Sequence, residues 1–263
     1  MRFLRTGMVG VCMLGALCAN AANQVELIFS DGSTRTTDRF TIQSGQVVYG
    51  AESLSRPFSQ IKSANFIFEN DLSVDEFNVS IRLGTYDELI SRIDSLLAPV
   101  KEGLTLPGNI DLYVQYRMRA CFWAGKYDEA RAEAKVLQSK NSTYAPLAEA
   151  YQILMQLEEG KSVPELAVAY EQNKSLKNIP KAMNEYILGC LAMGDKDYEV
   201  ALQYFANVLV FYSRDPEWFP AATFNEGLIY KKTGYTESAS SVADELRIAY
   251  ADSHWGVRAN ELK

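Results

Sequence analysis

Histidine is almost missing from this chain: His254 is the only one in 263 residues. A metal site built from several imidazoles is therefore excluded, and a serine–histidine–aspartate relay is implausible. His254 stands beside Trp255 at the start of the last helical stretch, where capping or packing accounts for it. Cysteine is nearly as scarce, with four residues, Cys12, Cys18, Cys121 and Cys190. The first two fall in a leader, and the others lie in different predicted helices about two repeats apart. They read as free, buried thiols rather than as a staple. The glycines form neither G-x-x-x-x-G-K-[ST] nor G-x-G-x-x-G, so no loop is built to cradle phosphate. H-E-x-x-H, C-x-x-C and G-x-S-x-G are also missing. Basic charge is short, 26 Lys and Arg against 33 Asp and Glu, for a formal net charge of −7. That balance disfavours nucleic acid, whose backbone needs a basic groove, and disfavours an anionic membrane surface. The composition points to a non-enzyme with no cofactor and no metal.

Long apolar runs are equally rare. One covers residues 7–17, too short to span a bilayer. It follows the basic head Met1-Arg2-Phe3-Leu4-Arg5 and precedes the small-x-small triplet Ala19-Asn20-Ala21. Residues 1–21 thus read as a Sec-type signal peptide cleaved near Ala21, which places the protein in the periplasm or outside the cell. An uncleaved anchor is the alternative. No second transmembrane stretch follows.

What is present divides near residue 70. Residues 22–70 alternate with the period of strands. Val25-Glu26-Leu27-Ile28-Phe29 is followed by an Asp31-Gly32 turn, Phe40-Thr41-Ile42 by a Ser44-Gly45 turn, and Val47-Val48-Tyr49 comes next. Pro57 marks a loop or an edge, and Asn65-Phe66-Ile67-Phe68 closes the set. Four or five strands in so short a stretch predict a small β-barrel-like or bent-sheet unit. Its pattern resembles SH3-like or Sm-like barrels, and its thin core requires packing on the helical residues beyond it. Residues 71–263 have the helical period. Pro99, Pro107, Pro146, Pro164, Pro180, Pro216 and Pro220 punctuate it where helices start or stop. Ser73-x-x-Glu76, Thr85-x-x-Glu88 and Ser162-x-x-Glu165 are capping-box patterns.

The helical part repeats. Gly84-Thr85-Tyr86-Asp87-Glu88-Leu89 and Gly125-Lys126-Tyr127-Asp128-Glu129-Ala130 share one pattern. Leu188-Gly189 is followed by Ala201 and Phe205, and Gly227-x-x-Tyr230 by Gly234 and Ala239. Aligning Leu89, Ala130, Ala167, Ala201 and Ala239 gives steps of 41, 37, 34 and 38 residues. This pattern resembles the tetratricopeptide repeat (TPR), whose period is about 34 residues. The chain is thereby expected to be α+β and mostly α. A small β unit would be followed by a TPR-like superhelix of about five helical hairpins, the first and third least regular. The ending, with Tyr250, Ser253-His254-Trp255 and Ala259, is similar to that of periplasmic TPR proteins of the outer-membrane assembly and Tol–Pal type. It departs from them in lacking a convincing lipid-attachment cysteine and in carrying Ala251 where they have proline.

The remaining chemistry has plain readings. The pairs Asp87-Glu88, Asp128-Glu129 and Glu158-Glu159 are sequence neighbours, which diverge on a helix and read as solvated helix ends. The aromatic residues, 15 Tyr, 12 Phe and 3 Trp, fall mostly at helical spacing and read as repeat packing. The acceptor triplets at Asn78, Asn141 and Asn173 read as chance. The resemblance implies a concave groove lined by the first helix of each hairpin. It would carry Gln115, Arg119, Phe122, Gln152, Gln156, Tyr186, Phe224 and Lys231, suited to an extended peptide. The expected function is an exported scaffold in cell-envelope assembly that binds a protein partner through this groove. The alternative is an accessory protein that binds carbohydrate or peptidoglycan through the β unit and exposed aromatics.

Overall fold

The computed structural model describes residues 22–251 and 253–263. The signal-peptide reading falls on residues 1–21 and lies outside the described residues.

Among the described residues six strands form, more than the four or five expected: β1 (Ala22–Phe29), β2 (Thr34–Thr37), β3 (Phe40–Gln43), β4 (Gln46–Tyr49), β5 (Leu54–Pro57) and β6 (Ile61–Phe68). They make two antiparallel three-stranded sheets, ordered β2-β1-β6 and β3-β4-β5. Alternation fixes their inner faces. Val25, Leu27 and Phe29 of β1 are buried, as are Phe40, Val47 and Tyr49 opposite. Phe29 meets Tyr49 with ring centroids 5.5 Å apart, and Phe40 meets Phe66 at 5.9 Å. The two sheets do not close into a barrel. Pro57 ends β5, an edge strand, where its missing N–H leaves the β4 ladder intact.

Ten of the helices among the described residues pair into five consecutive hairpins. These are α1 (Val74–Leu83) with α2 (Tyr86–Leu97), α3 (Ile110–Trp123) with α4 (Tyr127–Ser139), and α5 (Ala145–Glu158) with α6 (Val163–Gln172). Next come α7 (Lys181–Gly194) with α8 (Tyr198–Phe211), and α9 (Trp218–Lys232) with α10 (Thr236–Ala249); the short α11 (His254–Arg258) lies beyond them. The aligned small residues sit in the first turns of α2, α4, α6, α8 and α10. Four hairpins turn through a left-handed glycine, Gly84, Gly125, Gly160 or Gly234. The α7–α8 turn instead places Lys196 at φ +66°. Gly189 acts elsewhere: it lies inside α7, where a Cβ would come within 2.5 Å of the Phe205 ring of α8. Of the three capping boxes only the first closes. Ser73 Oγ accepts from Glu76 N–H, and the Glu76 carboxylate accepts from Ser73 N–H. Thr85 and Ser162 make no side-chain cap. The tight turn after Gly84 leaves Thr85 at ψ 52°, away from the extended backbone of a capping residue.

One core runs unbroken from the strands into the helices. The chain between α2 and α3 makes the join. Ala64 N–H donates to Pro107 O at 2.8 Å, while Asn109 both accepts from Phe66 N–H at 2.8 Å and donates to Phe66 O at 2.6 Å. Asn109 thus stands in for a neighbouring strand. Lys140, buried at the end of α4, donates to Leu104 O and Leu106 O and pairs with Asp111.

The far end of the chain returns to the first hairpin. A Cβ on Gly84 would strike His254, and the His254 and Tyr86 rings meet edge-on at 5.5 Å. Trp255 is buried against Trp123 and Phe224. The helical array therefore closes on itself.

Gly189→Val is expected to lower unfolding free energy by about 1–3 kcal/mol through overpacking; an unchanged urea midpoint would show that α7 and α8 stand further apart. The Glu76 carboxyl is held down at about 2, first by Ser73 N–H and then by Arg92. Its contribution is therefore present above the unfolded carboxylate pKa and is lost as pH falls towards 2. Glu76→Gln should be less stable than the wild type at neutral pH, with the gap closing in acid; a gap that persists at pH 2 would refute this.

Candidate functional site

The groove positions do not line an open channel. Gln115, Phe122, Tyr186 and Phe224 are buried, and Arg119 is 18% exposed at its side chain. They surround three residues that the sequence reading did not single out, Glu217, Trp218 and Trp255, where Trp255 had been noted only as part of the ending. Glu217 stands at the entry to α9 with 2% of its surface exposed.

Its carboxylate gathers the centre of the array. Arg119, on α3 and 98 positions earlier, donates from Nε at 3.1 Å and from Nη2 at 2.5 Å. Trp123 Nε1, one turn further on α3, and the Tyr151 hydroxyl of α5 donate to the other oxygen. A carboxylate offers about four acceptor sites, and here four hydrogen bonds fill them. The positive end of the α9 dipole adds to the stabilisation. Asp215 caps the same helix, accepting from Glu217 N–H at 3.0 Å and Trp218 N–H at 2.8 Å.

Titration is set by this packing. Burial opposes the Arg119 charge, but Glu217 outweighs it and the guanidinium is held more firmly protonated. Burial first, and then the Glu217 charge, push the Tyr151 hydroxyl well above its ordinary value, so it remains a donor. Arg119 also lies 4.5 Å from the Phe77 ring centroid and donates to Gln115 at 3.4 Å. Aromatic contact fills the rest: Trp218 packs on Trp123, Tyr151 and Tyr186, and Phe122 on Tyr151.

Five of the eight groove residues are thus brought together: Gln115, Arg119, Phe122, Tyr186 and Phe224. Tyr186 accepts from Asn225 Nδ2 at 3.1 Å, and Phe224 carries the Arg258 guanidinium 4.0 Å above its ring. The other three lie apart. Gln152 exchanges amide bonds with Gln138, Gln156 accepts from Lys161, and Lys231 donates to the carbonyls of Glu261 and Lys263. Trp218 and Trp255 could have been read as central from size alone. Glu217 gave no signal beyond its place after Asp215-Pro216.

Among the described residues, the carboxylate at the centre of the arrangement has both oxygens taken up by donors. Arg117 is a second ion-pair node, bound to Asp94, Glu129 and Glu133 on the outer face. Burial and the neighbouring Arg258 lower the His254 pKa. Cys121 and Cys190 are free thiols, each pushed up to about 12 by burial. Among the described residues no group of three or more His, Cys, Asp or Glu could hold a metal ion. No family model matches this chain, nor does any curated protein or solved structure.

Glu217→Ala strands Arg119, Tyr151 and Trp123 together. It should cost about 3–5 kcal/mol, the scale for breaking a buried ion pair, and should weaken the near-ultraviolet circular dichroism of the tryptophans. A loss within experimental error would mean that the centre is held by ring packing alone. The Cys121 thiol should resist a disulfide reagent in the native protein at pH 8 and react on unfolding, while the half-buried Cys190 reacts sooner; fast reaction of Cys121 in the folded state would contradict its burial.

Proposed function

We propose that the protein is an exported, non-enzymatic scaffold of TPR type that binds another protein in the cell envelope. The observation that carries this reading is the array of five hairpins whose central carboxylate, Glu217, is fully engaged in holding it shut. An enzyme of this size would be expected to keep reactive groups accessible in a cleft. Here Glu217, Arg119 and Tyr151 satisfy one another instead. The spacing of turns and small residues supports the TPR assignment, and the leader supports export.

The contact surface moves outward in this reading. Gln115, Phe122, Tyr186 and Phe224 serve as internal packing, so the concave groove is not where a partner docks. Large apolar side chains stand out on the exterior, among them Phe211, Val210 and Val257. The three tryptophans do not offer a glycan-stacking surface, since Trp218 and Trp255 are buried and Trp123 is half-buried; the exposed aromatics Phe211 and Tyr235 stand on the outside of the helices.

In-cell cross-linking of the full-length protein, followed by purification from the envelope fraction, tests the reading. Near-stoichiometric recovery of one or a few proteins is expected. Retention on insoluble peptidoglycan with no protein recovered would overturn it.

A further inference from the structure

A cavity of about 440 Å³ opens where the connection into α3 passes the turn between α4 and α5. Pro107 and Gly108 line one side, Asn141, Thr143 and Tyr144 the other, and the buried pair Asp111 and Lys140 lies between them. Several of its polar groups are already committed. The Lys140 ammonium donates to Leu104 O at 2.6 Å and to Leu106 O at 3.1 Å, and it pairs with Asp111, which uses its three protons. The Asn109 amide is spent in both directions on Phe66, and Ser142 Oγ accepts from Tyr144 N–H at 3.3 Å.

The rest are not. Asp111 is only 9% exposed, and its buried Oδ1 faces the ammonium, whereas Oδ2 meets no donor among the described residues. A buried carboxylate oxygen without a partner calls for a hydrogen-bond donor from outside. The Asn141 amide and the Thr143 hydroxyl are exposed, and neither side chain bonds to another described residue. Tyr144 is half-buried, and its hydroxyl is pushed up first by burial and then by the Asp111 charge, which puts it within that carboxylate's field.

Charge selects the ligand. A cation would meet the Lys140 ammonium beside Asp111, together with the positive ends of α3 and α5, which both begin at this cavity. An anion would meet the Asp111 carboxylate and find the ammonium already used. A neutral molecule with several hydroxyl groups meets neither obstacle. We infer that this cavity is a binding site for a neutral sugar unit, either free or part of a glycan. Asp111 Oδ2 accepts from one hydroxyl, the Asn141 amide donates to and accepts from others, and Thr143 completes the set. Pro107, Leu112 and Tyr144 supply apolar wall, in the mixture usual for ligand cavities of roughly 300–1,000 Å³. Recognition here is by hydrogen bonds in a cleft, so the burial of the tryptophans does not bear on it. The site adds a ligand to the scaffold reading and does not depend on it.

The test is calorimetric titration of the full-length protein with neutral hexoses and N-acetylhexosamines, beside the cationic glucosamine and the anionic glucuronate. At least one neutral sugar should bind, with the charged relatives weaker by roughly tenfold or more. Asn141→Gly suits the left-handed backbone at φ +48° and removes the amide, while Thr143→Val removes the hydroxyl. Both positions are exposed, so both variants should fold, which thermal unfolding checks. Each should weaken binding by about two- to tenfold. Asp111→Asn should abolish binding but also strands Lys140, so the other two variants decide. No binding by any neutral sugar, tighter binding of a charged relative, or unchanged affinity in both variants would overturn the site. Retention on an insoluble glycan that the preferred free sugar reverses assigns the unit to a chain; titration without retention assigns it to a free sugar. Cross-linking reports separately on the scaffold. Variants that lose the sugar and still recover the envelope protein leave both readings standing, whereas sugar binding with no protein recovered keeps this site and removes the scaffold.

Discussion

A single buried carboxylate governs the shape of this protein. Glu217 has almost no access to water, so its charge is tolerable only while Arg119, Trp123 and Tyr151 surround it. Those donors sit on α3 and α5, whereas Glu217 opens α9. Satisfying them draws the fifth hairpin back onto the second and third. Trp218 and Trp255 then fill the space that an open superhelix would leave to a ligand. The ion pair sets the geometry, and aromatic packing buries apolar surface around it.

This alters how stability is distributed. In an open stack each repeat touches only its neighbours, and stability is close to a sum of local terms. Here α3 and α9 are bonded across 98 positions, and α11 touches the first hairpin turn. Loosening either end disturbs both. The β unit belongs to the same system, because Lys140 and Asn109 fasten the α2–α3 connection to α4 on one side and to β6 on the other. Strands and helices share one core where the sequence shows two periods.

Much of the local structure could be read in advance, because it is encoded locally. The glycine turns, the small residues entering each second helix, and the Ser73–Glu76 cap depend on neighbours within a few positions. Where the reading failed, the deciding partner was remote or the turn could be made another way. Lys196 takes the left-handed turn without a glycine. Thr85 has the capping pattern, but the preceding turn holds its backbone away. The resemblance indicated which helix faces inward at Arg119 and Tyr186; it carried no information on how far the array curls. Glu217 was one acidic residue among 33 Asp and Glu, and only its distant donors distinguish it. The six strands were undercounted because β2 and β5 carry polar, exposed residues, which lack the apolar alternation of a half-buried strand.

The closed array also bears on how such a protein can evolve. Open repeat stacks lengthen or shorten by duplicating or deleting whole units, since any neighbour fits any other. A sixth hairpin inserted between α3 and α9 would carry Glu217 out of reach of Arg119 and move α11 off Gly84. A deletion would force them past one another. The number of hairpins is therefore constrained by this closure, whereas a change of length in the loops or on the outer faces leaves Glu217 and α11 where they are.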